Sequence, residues 1–171
     1  MKNLFSFLLI ISSLLCLVSC GPTSDEAVKY NDKLVELQSG IFEKENDLAD
    51  AMSKNLSNKL KPAYDSLCLE VKKSNEEAKK IEAFDGTTEL RDAAIKIFEA
   101  YTVVIEKDYP EIIKYYQIPD SLYTQETDDK IISLSEKIDS LLDKPIAAFS
   151  ARQKEFSEKY KFDLSIKIPE N

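Results

Sequence analysis

The chain has no histidine, no tryptophan, three glycines and three cysteines in 171 residues. Without histidine there is no usual general base, no Ser/His or Cys/His dyad and no imidazole ligand for zinc. Three glycines are too few for a phosphate-cradling loop or for a fold rich in tight turns. Positive charge is also short: 23 basic against 31 acidic side chains leave a net charge of −8. That sign argues against nucleic acid, whose phosphates reward basic patches, and against an anionic membrane held by charge alone. What remains is 43% hydrophobic and 32% charged. It is rich in Lys, Glu, Leu, Ile and Asp, a composition that favours helices, and its length suits one domain.

The N-terminus reads as an address. Met1-Lys2-Asn3 is a short positive start, and Leu4 to Val18 is apolar apart from Ser6, Ser12 and Ser13. The run is shorter than the roughly 20 residues that span a bilayer, so it reads as a signal peptide. It ends Leu17-Val18-Ser19-Cys20, which resembles the lipobox of bacterial lipoproteins. The resemblance implies cleavage before Cys20, a diacylglyceryl thioether on its sulfur and an acylated amine. A single acyl chain holds only marginally, at about 0.8 kcal/mol per buried methylene, whereas three chains anchor permanently. The alternative is an ordinary secretory signal ending in cysteine. Cleavage removes Cys16 and Lys2, and acylation occupies Cys20. Cys68 is then the one thiol left and no internal disulfide is possible; between Leu67 and Leu69 it reads as a small buried hydrophobe. The expected division is a signal peptide over 1–19, lipidated cysteine and tether over 20–24, a helical bundle over 25–161 and an extended tail over 162–171. Asp25-Glu26 resembles a surface-export signal, but Thr23-x-x-Glu26 is also a capping box.

Beyond the tether the apolar residues recur at alternating spacings of three and four, the one-sided stripe of a helix. Helix 1 is predicted from Ser24 to about Asn55, on Ala27, Tyr30, Leu34, Leu37, Ile41, Leu48 and Ala51. Gly40 costs it about 1 kcal/mol relative to alanine. Helix 2 follows on Leu60, Tyr64, Leu67, Val71, Ser74, Ala78 and Ile81, with Pro62 near its first turn and Gly86 as the residue past its end. Helix 3 begins at Thr87 or Thr88, carries Leu90, Ala94, Ile97, Tyr101 and Val104, and should kink or break near Tyr109 before Pro110. Gln117 to Tyr123 reads as a loop. Helix 4, from about Thr124 to Tyr160, has its seam at Ile131, Leu134, Ile138, Leu141, Ala148, Phe149, Arg152, Phe156 and Tyr160, with Pro145 bending it. Short connections force antiparallel neighbours. The expected fold is all-α, an up-down-up-down four-helix bundle with kinks at prolines. The alternative is two hairpins pairing between molecules. The tail, Phe162-x-Leu164-x-Ile166-x-Ile168, has no partner strand.

Chemistry is sparse. Glu43, Asp47 and Asp50 share one helix face and could hold a divalent cation weakly, or simply face water. Asn31, Gln38 and Glu45 recur every seven residues beside the seam of helix 1, where polar groups fix register, line a ligand cleft or flank the core. Lys72/Glu76, Glu76/Lys80 and Lys73/Glu77 are spaced as i, i+4 pairs on a solvated face. Tyr109, Tyr115, Tyr116 and Tyr123 gather near Pro110 and Pro119 at one end; tyrosine suits recognition of a protein or glycan as well as helix-end packing.

Tyr30-Asn31-Asp32-x-x-Val35-x-x-Gln38 and Leu90-Arg91-Asp92-Ala93-Ala94-x-x-x-Phe98-x-x-Tyr101 resemble segments of a family of helical bacterial surface lipoproteins with no established activity. The resemblance implies a location and a fold, and no site residues. The chain does not resemble the imelysin-type bundle lipoproteins at their histidine motif. The reading is therefore a non-catalytic, lipid-anchored protein of the bacterial cell envelope, held at the outer membrane with its facing side open. It would act as a binding or structural module with an unknown protein or glycan partner, without cofactor, resident metal or nucleic acid. Two others stand beside it: a receptor for a small ligand or divalent cation on the Asn31/Gln38/Glu45 stripe, and a hydrolase using carboxylates alone, for which Glu45 is the one acid on an apolar seam.

Overall fold

The computed structural model describes residues 21–54 and 56–164. The expected signal peptide, Cys20 and the tail beyond Leu164 lie outside them. Four helices follow one another: α1 Ser24–Ser53, α2 Ser57–Lys80, α3 Glu89–Tyr116 and α4 Gln125–Tyr160, with a short 3-10 turn at Asp120–Leu122. Each helix packs on the next, and α4 returns to α1. The Ser24 hydroxyl reaches the Lys161 carbonyl at 3.4 Å, and Lys159 pairs with Asp85 of the α2–α3 turn at 3.0 Å. The start of α1, that turn and the end of α4 thus share one end, as an antiparallel four-helix bundle requires. No helix among the described residues is long and apolar enough to cross a membrane.

Local signals explain the helix ends. The capping box forms at α1: the Thr23 N–H donates to Glu26 at 2.8 Å, and the Glu26 N–H donates back to the Thr23 hydroxyl at 3.3 Å. At the start of α3 the Thr88 hydroxyl donates to Asp92 at 2.6 Å, which holds a negative charge near the positive end of the helix. Arg91 ties Asp92 to the residue just past the end of α2, donating to the Ile81 carbonyl at 2.9 Å. At the far end of α4, Lys161 adopts a left-handed φ of 57°. The Phe162 N–H then closes on the Ser157 carbonyl at 3.1 Å, and the Phe162 ring packs on Phe156 with centroids 6.0 Å apart. Backbone closure and the accompanying apolar contact together make a Schellman end.

Several expectations need correcting. Gly86 does not terminate α2, which ends at Lys80 with Ile81 already extended. Gly86 (φ 73°) and Asp85 (φ 51°) are instead the two centre residues of a tight turn closed by reciprocal Phe84–Thr87 backbone hydrogen bonds. Asp-Gly is the pair that tolerates two positive φ angles in succession. Pro110 does not break α3, which runs on to Tyr116; buried Tyr109, Ile112 and Ile113 on either side of the proline hold that stretch against its neighbours. Pro145 lies inside α4, where it was expected, and Pro62 sits just beyond the first turn of α2. In α4 the seam passes through Leu142, while Leu141, Ala148 and Arg152 are exposed. The spacing from Ile138 to Phe149 admits either leucine, and packing on α3 selects the i+4 position. Cys68 is only half-buried. The charged face of α2 pairs as Glu70–Lys73 and Glu77–Lys80, one residue closer than expected.

The core is continuous from end to end, and α3 is its centre. Leu90, Ala94, Ile97, Phe98, Tyr101, Val104 and Ile105 are buried against Leu34, Ile41, Leu48, Leu67, Val71 and Phe149. Each such side chain contributes about 1.5–3 kcal/mol of burial. The bundle is uneven in one respect: α1 and α4 touch each other least of the four adjacent pairs. Along that looser seam the polar row of α1 meets α4.

Candidate functional site

Asn31, Gln38 and Glu45 all lie on this α1–α4 face, and they divide into two places. Near the start of α1, Asn31 is buried and accepts a hydrogen bond from Gln153 of α4 at 2.9 Å. Gln38 lies one heptad on, in the same cavity of about 650 Å³, which Phe162 and Leu164 also line. The Asn31–Gln153 pair is a partly buried polar contact of the kind that fixes register between helices.

The second place is built around Glu45. One carboxylate oxygen accepts from the Tyr101 hydroxyl at 2.5 Å, the other from the Tyr109 hydroxyl at 2.6 Å. The two tyrosines are eight residues apart on α3, close to two helical turns, so both project from the same face toward α1. Both rings are buried. Burial first, and the Glu45 charge second, push both hydroxyls far above the usual tyrosine range. They therefore remain donors wherever the protein is folded. The charge of Asp139 on α4 acts on both in the same direction.

Glu45, Tyr109 and Asp139 line a cavity of about 230 Å³ between α1, α3 and α4. Met52, Ile112 and Ile138 give it an apolar wall, and Tyr116 and Ser135 complete it on either side. Among the described residues neither Glu45 nor Asp139 takes part in a salt bridge, and no basic side chain lines the cavity. The expected tyrosine cluster thus comes together only in part. Tyr109 and Tyr116 reach the cavity, whereas Tyr115 is half-buried beside it and lines none of the cavities described. Tyr123 is exposed, and its hydroxyl donates to Asp128 at 2.6 Å; that bond leads the causes that push it up to about 12.

Two acids escaped the sequence reading. Asp139 sits on the polar side of α4, seven residues after exposed Ile132, so nothing in the chain marked it as facing Glu45. Asp108 is 2% exposed, pairs with Lys137, and keeps its second oxygen without a partner among the described residues. Its position between Ile105 and Ile112 on the α3 seam is the signal that could have found it. The Glu43, Asp47 and Asp50 face carries its own lysines: Lys44 bonds Glu43 at 2.6 Å and Asp47 at 3.4 Å, and Lys54 pairs with Asp50. Among the described residues no three His, Cys, Asp or Glu side chains gather as a metal site would need.

Compared with protein-family models, with curated proteins and with solved structures, the chain matches none.

Proposed function

We propose that the protein is a non-catalytic lipoprotein of the bacterial cell envelope, anchored through acyl chains on Cys20, whose four-helix bundle is a binding or structural module. The observation that carries this reading is the Leu17-Val18-Ser19-Cys20 sequence, placed four residues ahead of a helix that caps itself at Thr23. The bundle needs no help from the anchor to close its core. The likeness to helical bacterial surface lipoproteins belongs to the same proposal, as does the outer membrane as the site.

In this reading the anchored end carries the start of α1, the Asp85-Gly86 turn and the end of α4. The Glu45 cavity lies 21 residues along α1, about 32 Å away at 1.5 Å per residue. The module thus offers its tyrosines and its acidic cavity to partners away from the lipid. Globomycin should make the unprocessed precursor accumulate, and Cys20→Ala should release the protein from the membrane fraction. Unchanged fractionation of Cys20→Ala would remove the anchor from the account.

A second reading, a receptor for a small ligand, is favoured by one specific observation: Glu45 is fixed in a cavity by two buried hydroxyls. Holding a carboxylate in one geometry lowers the ordering cost of binding to it.

A further inference from the structure

We propose that the cavity between Glu45 and Asp139 binds a small organic amine in its ammonium form. The inference rests on the receptor reading above and gives it a ligand class.

Three observations lead there. Carboxylates from two different helices line the cavity, with no basic side chain lining it and no salt bridge to either among the described residues. A cation is the complement such a pair selects. Met52, Ile112 and Ile138 give the same cavity an apolar wall, and Tyr116 lines it as well. A hard metal ion has no use for such a wall and takes six or more oxygens, whereas an alkylammonium needs both an anionic and an apolar contact, and aromatic rings attract it further. Finally, Tyr101 and Tyr109 hold one oxygen of Glu45 each, so the carboxylate is oriented before any ligand arrives. The volume of about 230 Å³ falls below the roughly 300–1,000 Å³ of drug-sized sites, which limits the ligand to a short amine.

Titration calorimetry on the full chain in detergent, at constant ionic strength near 0.15 M, tests this with 1,4-diaminobutane as the probe. Salt at that level screens diffuse attraction to the acidic surface beyond about 8 Å. The expected result is saturable binding of one diamine, none of 1,4-butanediol, and at least a tenfold weakening in Asp139→Asn and in Glu45→Gln. Glu36→Gln, which removes the same charge from an exposed place on α1 outside the cavity, should change binding by less than twofold. Asp139 is exposed, so its variant keeps the fold, and helical circular dichroism checks this for each. Absence of saturable heat overturns the proposal. So does equal weakening by Glu36→Gln, which would mean diffuse attraction. Binding of magnesium chloride with the same Asp139 dependence and no diamine binding would overturn it in favour of a metal. None of these outcomes bears on the membrane anchor, which fractionation tests separately.

Discussion

Glu45 holds one buried tyrosine on each oxygen, and its two partners make measurable predictions. Tyr101 and Tyr109 have folded pKa values raised above the unfolded value of about 10. A group of this kind stabilises the fold below its unfolded pKa and loses that contribution as pH climbs beyond it. Stability should therefore fall as pH rises above about 10, while the contribution of these groups stays constant around neutral pH. A spectrophotometric tyrosine titration should show the exposed phenols ionising first, with Tyr101 and Tyr109 ionising only as helicity is lost; two fewer late-titrating groups in the Tyr101→Phe, Tyr109→Phe double variant would assign them. Each single change should cost about 1 kcal/mol in denaturant unfolding, at the low end for hydrogen bonds to a charged group because water can reach Glu45. A double-mutant cycle with Glu45→Gln should show coupling. Independent, additive losses would mean that the hydrogen bonds do not form in solution.

At the scale of elements, the turn and helix ends carry the sharpest tests. Gly86 has a positive φ, and the space around it is open. Gly86→Ala therefore meets only backbone strain and should cost about 1–2 kcal/mol. Lys161 stands in a left-handed conformation that glycine adopts freely, so Lys161→Gly should stabilise by up to about 1 kcal/mol. Both are read from denaturant midpoints at constant slope. Leu142→Ala should cost about 2–4 kcal/mol because the side chain is buried, and Leu141→Ala, 39% exposed, less than 1 kcal/mol. The reverse order would return the α4 seam to the position first expected of it. Helix count, order and most seam residues were legible because a 3.6-residue stripe shows itself along a single chain. The choice between Leu141 and Leu142 was not, since both satisfy the stripe and only α3 decides. A break at Pro110 was expected for a related reason: the local cost of proline was plain, but the buried residues on both sides that hold α3 continuous act through other helices.

On the scale of the whole molecule, the bundle is tight on three seams and loose on the fourth, where α1 and α4 meet. The heptad spacing of Asn31, Gln38 and Glu45 marked this face in the chain. Gln153, which bonds Asn31, and Asp139, which shares the cavity of Glu45, were illegible, because placement across antiparallel helices depends on register and not on local sequence. The Tyr101 hydroxyl was hidden for the opposite reason: the residue fits the apolar stripe so well that its polar tip drew no attention. A bundle of this shape with its tyrosine-held Glu45 far along α1 from Ser24 suits the proposal of a protein moored at one end. Its mooring is the claim on which the cellular role depends. Metabolic labelling with an alkyne-bearing fatty acid, followed by intact mass measurement of the purified chain, tests it most directly. The account predicts a labelled chain beginning at Cys20 and no label in Cys20→Ser; an unlabelled chain with a free cysteine would contradict it.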